Sequence, residues 1–120
     1  MAKILLAEDD ESMRHFLARA LERAGHVVFA VGRGDEALPV IAEGHFDLLL
    51  ADIVMPEMDG IELARRTVSV DPRVKVMFIT GFAAVAMRQR TGPTAQAKVL
   101  SKPFHLRDLV SEIDRLLAAA

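Results

Sequence analysis

Cysteine, tryptophan and tyrosine are all absent from the 120 residues. Without cysteine there is no disulfide and no thiolate metal site, which suits a cytosolic compartment. Without tryptophan or tyrosine, a flavodoxin-type flavin carrier is a weak reading. No sign of charge dominates either: 15 Lys and Arg against 17 Asp and Glu leave a net charge of −2, with no long basic block. Nucleic acid is therefore not expected as a partner. No apolar run approaches the ~20 residues that span a bilayer. The N-terminus turns acidic at Glu8, too soon for a signal peptide. The expectation is a soluble cytoplasmic domain that binds neither nucleic acid nor membrane.

The chain does have apolar residues (52%) and charged ones (27%) in globular proportion. A length of 120 residues fits one domain, 1–120, with no output domain. Short apolar runs at 4–7, 27–31, 48–51, 74–79 and 99–100 read as strands. Between them, spacing of i, i+3, i+4 predicts helices. The first carries Met13, Phe16, Leu17, Ala20, Leu21 and Ala24 on one face, with Asp10 or Ser12 as N-cap and Gly25 past its end. A weaker helix over 35–43 holds Pro39 in its first turn or two, and others are expected over 61–70 and 82–88. The clearest is the last, with Leu106, Leu109, Val110, Ile113, Leu116 and Leu117 along one side. Five strands alternating with five helices make an α/β, doubly wound parallel sheet with helices on both faces. A flavodoxin-like strand order of 2-1-3-4-5 puts the first and third strands side by side, where such sheets bind ligands.

Chemistry gathers at the strand ends. Glu8 and Asp9 follow the first strand, Asp52 ends the third, Thr80 the fourth, and Lys102 follows the fifth. Pro56 and Gly60 mark the loop after Asp52. Three carboxylates in one pocket repel one another, and desolvation raises at least one pKa unless a cation intervenes. Oxygen donors with no His or Cys favour Mg²⁺ or Mn²⁺ over Zn²⁺. Asp9 and Asp52 can supply two ligands and a backbone carbonyl just after Asp52 a third, with Glu8 acting through water. With the cation in place, the Asp52 carboxylate can attack phosphorus and form an acyl phosphate. Lys102 and the Thr80 hydroxyl can then meet the phosphoryl oxygens. Only the phosphate donor is missing.

In order, approximate spacing and strand-end placement, Glu8-Asp9, Asp52 with Met55-Pro56 and Gly60, Thr80-Gly81 and Lys102-Pro103-Phe104 resemble the response-regulator receiver domains of two-component signalling. The resemblance covers essentially the whole chain and implies a CheY-like fold. It implies phosphorylation at Asp52, Mg²⁺ held by Asp9, Asp52 and the Val54 carbonyl, and a Thr80–Lys102 sensing pair. It further implies a histidine kinase or histidine phosphotransfer protein as donor. Residues 4–10, 53–66, 76–86 and 98–110 are most similar to single-domain receivers of alphaproteobacteria. That likeness implies a monomer or weak dimer whose unphosphorylated form helps the ClpXP protease take up cell-cycle substrates, with ClpX or an adaptor assembly as partner. A receiver docking on a flagellar motor, or shuttling phosphate in a relay, is the alternative.

Other features weigh differently. Many receivers carry an aromatic residue three positions before the lysine, where this chain has Val99; the signal must then pass through the backbone after Thr80 or through helix repacking. Val54 and Phe82, two residues beyond Asp52 and Thr80, are apolar and position no water, so unaided hydrolysis of the acyl phosphate is expected to be slow. A phosphatase of the haloacid-dehalogenase type would need an acid at Val54, which argues against an enzyme. Gly32-Arg33-Gly34 matches a dinucleotide-binding pattern, but Asp35 and Glu36 would repel a pyrophosphate. Phe82, Val85 and Met87 are either buried or an apolar partner surface.

Overall fold

The computed structural model describes residues 2–81 and 97–119, and its elements follow the alternation expected from the sequence. They are β1 (Lys3–Ala7), α1 (Glu11–Arg23), β2 (Val27–Val31), α2 (Gly34–Glu43), β3 (Leu48–Asp52), α3 (Gly60–Val70), β4 (Lys75–Thr80), β5 (Lys98–Ser101) and α4 (Leu106–Ala118). All five strands are parallel, in the order β2-β1-β3-β4-β5. The helix expected over 82–88, and with it Phe82, Val85 and Met87, lies outside the described residues.

The central strands are apolar without alternation because both of their faces are covered. Leu5, Ala7, Leu49 and Ala51 pack with Ala37 and Ile41 of α2 and Ile61, Leu63 and Ala64 of α3. Their neighbours Ile4, Leu6, Leu48 and Leu50 face the other way, against Leu17 and Leu21 of α1 and Leu109 and Ile113 of α4. Each fully buried leucine contributes about 1.5–3 kcal/mol of hydrophobic stabilisation. This double layer fixes the register in which Ala7 pairs with Ala51 and Asp52 with Ile79. The acid-bearing strand ends are thereby set level.

Local signals place the helix ends. The Asp10 side chain accepts the Met13 N–H at 2.9 Å, and Asp59 accepts that of Glu62 at 2.8 Å, each satisfying a first-turn donor. Gly25 follows α1 at φ 99°, the left-handed conformation that a glycine adopts without strain. Pro39 sits in the second turn of α2. Two residues of the expected α1 face depart from it: Phe16 is 54% exposed, and Ala24, the C-cap just past the helix, is exposed as well. The stripe is wider than the contact, and α1 buries only its Leu17–Leu21 line against the sheet.

The loop from Asp52 to α3 folds tightly back on the strand it leaves. The Gly60 N–H donates to the Ile53 carbonyl at 2.9 Å, and a Cβ on Gly60 would lie 2.2 Å from the Asp52 carbonyl oxygen and 2.8 Å from its carbon. Those are backbone atoms that cannot swing aside. Gly60→Ala is therefore expected to destabilise the protein by about 2 kcal/mol or more, despite alanine's better helix propensity. Urea unfolding of the two proteins measures this, and an unchanged midpoint would contradict the close approach.

Candidate functional site

Asp52 ends β3 almost fully buried, and Glu8, one residue past β1, is completely buried. Asp9 beside it is exposed. One carboxylate oxygen from each of Glu8, Asp9 and Asp52 lies within 4.8 Å of the others. The two ends meet because β1 and β3 are adjacent while their crossovers leave in opposite directions, the switch point of this sheet.

Lys102 completes the cluster from the far side. Its Nζ donates to Asp52 Oδ2 at 2.9 Å and to Glu8 Oε1 at 3.0 Å. Its N–H donates to the Thr80 carbonyl at 2.7 Å, which continues the β4–β5 ladder by one residue and delivers the lysine across β4. The following Lys102–Pro103 peptide is cis, and Pro103 itself is exposed. Thr80 is fully buried at the end of β4. The other oxygen of Asp52, Oδ1, accepts the Val54 N–H at 3.1 Å, so Val54 lies beside the carboxylate through its main chain while its side chain is 45% exposed. Pro56 accepts the Met58 N–H, holding the loop, and Val99 is half-buried against the α2–α3 core.

The electrostatics follow from burial. Desolvation pushes the Glu8 carboxyl up to about 7, against the lowering effect of the Asp10 N–H on Oε2, and neighbouring Asp52 raises it further. Burial would lower the Lys102 ammonium, but its bonds to Asp52 and Glu8 outweigh that and raise it. A single ammonium thus holds two buried carboxylates, while Asp9 at the mouth has no hydrogen bond or ion pair among the described residues. Three hard oxygen donors without His or Cys fit a small divalent cation of the Mg²⁺ type and do not fit zinc.

Of the strand-end residues singled out from the sequence, Glu8, Asp9, Asp52 and Lys102 meet here, and Thr80 is tied to them through its carbonyl and the Lys102 N–H. What the sequence did not reveal is that Glu8 touches Lys102 directly. Arg14 was missed as well: its Nη1 donates to the Glu8 carbonyl at 2.9 Å. A basic residue one helical turn after the acidic pair was the available signal.

Comparison with known proteins agrees with the geometry. The family profile described as "Response regulator receiver domain" matches residues 4–114. The response regulator receiver protein CpdR of Brucella abortus is 60% identical over 120 residues, all of both chains. The sensor kinase CckA of the same organism is 36% identical over 97% of this chain, which spans 12% of that protein. Among solved structures, response regulator TrrA of Thermotoga maritima, in complex with Mg²⁺-BeF, superposes with a TM-score of 0.86 at 25% identity, covering 97% of this chain and 99% of that one. A receiver protein from Sinorhizobium medicae gives a TM-score of 0.88 at 30% identity, covering 98% and 95%.

The raised Glu8 pKa makes stability depend on pH. The unfolded chain releases this proton near 4.5, the folded one near 7. Between those values the folded state binds more protons, so the Glu8 contribution is complete below about pH 4.5 and is lost as pH rises through 7. Relative to Glu8→Gln, which stays neutral, the metal-free wild type is expected to lose on the order of 2 kcal/mol across that window. Urea unfolding of both proteins at stepped pH checks it; parallel curves would contradict the assignment.

Proposed function

The chain belongs to the response regulator receiver family, and from that membership we propose that Asp52 accepts a phosphoryl group from a histidine kinase or histidine phosphotransfer protein, with Mg²⁺ held at Glu8, Asp9, Asp52 and the Val54 carbonyl. The observation that carries this reading is Lys102 Nζ spanning Asp52 and Glu8 beside Asp9 at the sheet's switch point. When bound, the cation neutralises the carboxylates and part of the charge on the transferring group. An Asp52 oxygen bonds to phosphorus as the donor's P–N bond breaks, and the freed imidazole nitrogen takes a proton from solvent. Lys102 exchanges its Asp52 contact for a phosphoryl oxygen, and Thr80 supplies a hydroxyl to another. Val54 offers no acid to release the phosphate, so the group is held as a signal and not turned over.

The finer reading rests on CpdR, matched end to end at 60% identity. The protein acts as a CpdR-like regulator of ClpXP: unphosphorylated, it helps deliver cell-cycle substrates, and phosphorylation through a CckA-type relay switches it off. Direct contact with ClpX or an adaptor assembly carries the output.

Mass spectrometry after incubation with acetyl phosphate and Mg²⁺ is expected to show one added phosphoryl group on the wild type and none on Asp52→Ala. Equal labelling of both proteins would refute Asp52 as acceptor. In a pull-down with purified ClpX, the unmodified protein is expected to be retained and its beryllofluoride-treated form released. Retention of neither form would favour motor docking or a phosphate-shuttling role.

A further inference from the structure

The turn that carries Glu8 and Asp9 is fastened from outside the pocket. Asp9 makes no hydrogen bond or ion pair among the described residues, so its place within 4.8 Å of the Glu8 and Asp52 oxygens follows from the backbone of the turn. That backbone is tied on one side by the Glu8 N–H, which donates to the Val31 carbonyl at 3.1 Å. On the other side it is tied by Arg14. The Arg14 N–H bonds the Asp10 carbonyl at 2.8 Å, and Nη1 bonds the Glu8 carbonyl at 2.9 Å, so one residue closes both ends of the turn.

The guanidinium reaches Glu8 by crossing Gly32, in the turn after β2. A Cβ on Gly32 would stand 2.9 Å from Nη1 and 3.6 Å from Cζ. Gly32 has no other close neighbour of that kind; the next atom is Glu36 Oε1 at 3.8 Å. No carboxylate forms an ion pair with Arg14 among the described residues. Its polar contact is with the acid-bearing turn.

We propose that Arg14 is a positioning residue for the cation pocket: by pinning the Glu8 carbonyl it fixes the Glu8–Asp10 turn, and through it Asp9, in the arrangement a divalent cation requires. Gly32 is the space this clamp occupies. The inference rests on the pocket being the cation site proposed above. Two effects of Arg14 oppose each other in sign. As a positive charge near the site it repels a cation, so its loss through charge alone would tighten binding. As a clamp its loss loosens the ligand geometry and weakens binding.

Mn²⁺ binding to the full chain, followed by the electron paramagnetic resonance of free Mn²⁺, separates them. Arg14→Met is expected to weaken Mn²⁺ by on the order of tenfold, as losing a group that holds a metal ligand in place does. Gly32→Ala, which keeps the charge, is expected to do the same, and Arg14→Lys to recover part of the loss. In the Arg14→Met background, Gly32→Ala is expected to add nothing, because its effect passes through the guanidinium. Circular dichroism and thermal unfolding confirm that each variant is folded. Affinity in Arg14→Met equal to or tighter than wild type overturns the proposal, as does an additive double variant. If the wild type fails to bind Mn²⁺ saturably, or Asp52→Asn binds as well as wild type, the cation site itself is wrong and the clamp falls with it.

Discussion

Two carboxylates out of water around one ammonium form the interaction on which the rest of this structure turns. Glu8 is wholly buried and Asp52 nearly so, and Lys102 Nζ contacts both. Burying a charge is unfavourable unless it is paired, and breaking such a pair leaves the remainder worse placed than before. The arrangement is a poor way to gain stability and a good way to hold charge in readiness. On the proposed reading, that readiness serves an incoming cation or phosphoryl group.

The sheet makes this tolerable by rigidity. Leu48 to Leu50 and Ile4 to Leu6 are fully buried, so the β1 and β3 ends cannot drift apart to relieve repulsion. The lysine is set by a different ladder, because its N–H bonds the Thr80 carbonyl beyond the last β4–β5 pair. Acids and ammonium therefore arrive on separate strands and are coupled only at the pocket. On the proposed reading, drawing Lys102 toward a phosphoryl oxygen pulls on the end of β4 and β5 while β1 and β3 stay fixed. Val99 packs against the α2–α3 core. A displacement of β5 thus has a mechanical route into the helical layer without an aromatic side chain changing rotamer.

The sequence made the fold legible where physics is local or repetitive. Unbroken apolar runs marked the central strands because both faces are covered, and Asp10 and Gly25 marked the limits of α1 because caps and left-handed turns have few chemical solutions. The flavodoxin-like strand order expected for this alternation is the one observed, and it brings Glu8, Asp9 and Asp52 together. Phe16 was misread because helical spacing reports which residues share a face and not how much of that face is covered. The direct Glu8–Lys102 contact and the Arg14 clamp were not legible, since each joins a side chain to a partner set by tertiary register. The Gly32–Arg14 crossing likewise links two turns that only the folded sheet makes neighbours.

Charge balance shows why Glu8 belongs inside the pocket. Three ionised carboxylates against one ammonium leave two negative charges, which a divalent cation cancels. On the proposed reading, replacing the Asp52 charge by a phosphoryl group of nearly two negative charges would leave about one in excess. Asp9 is open to solvent, which screens its charge, whereas Glu8 is wholly buried and faces Lys102. On the proposed reading, Glu8 and a phosphoryl group on Asp52 would compete for the same Lys102 ammonium, which here contacts both carboxylates.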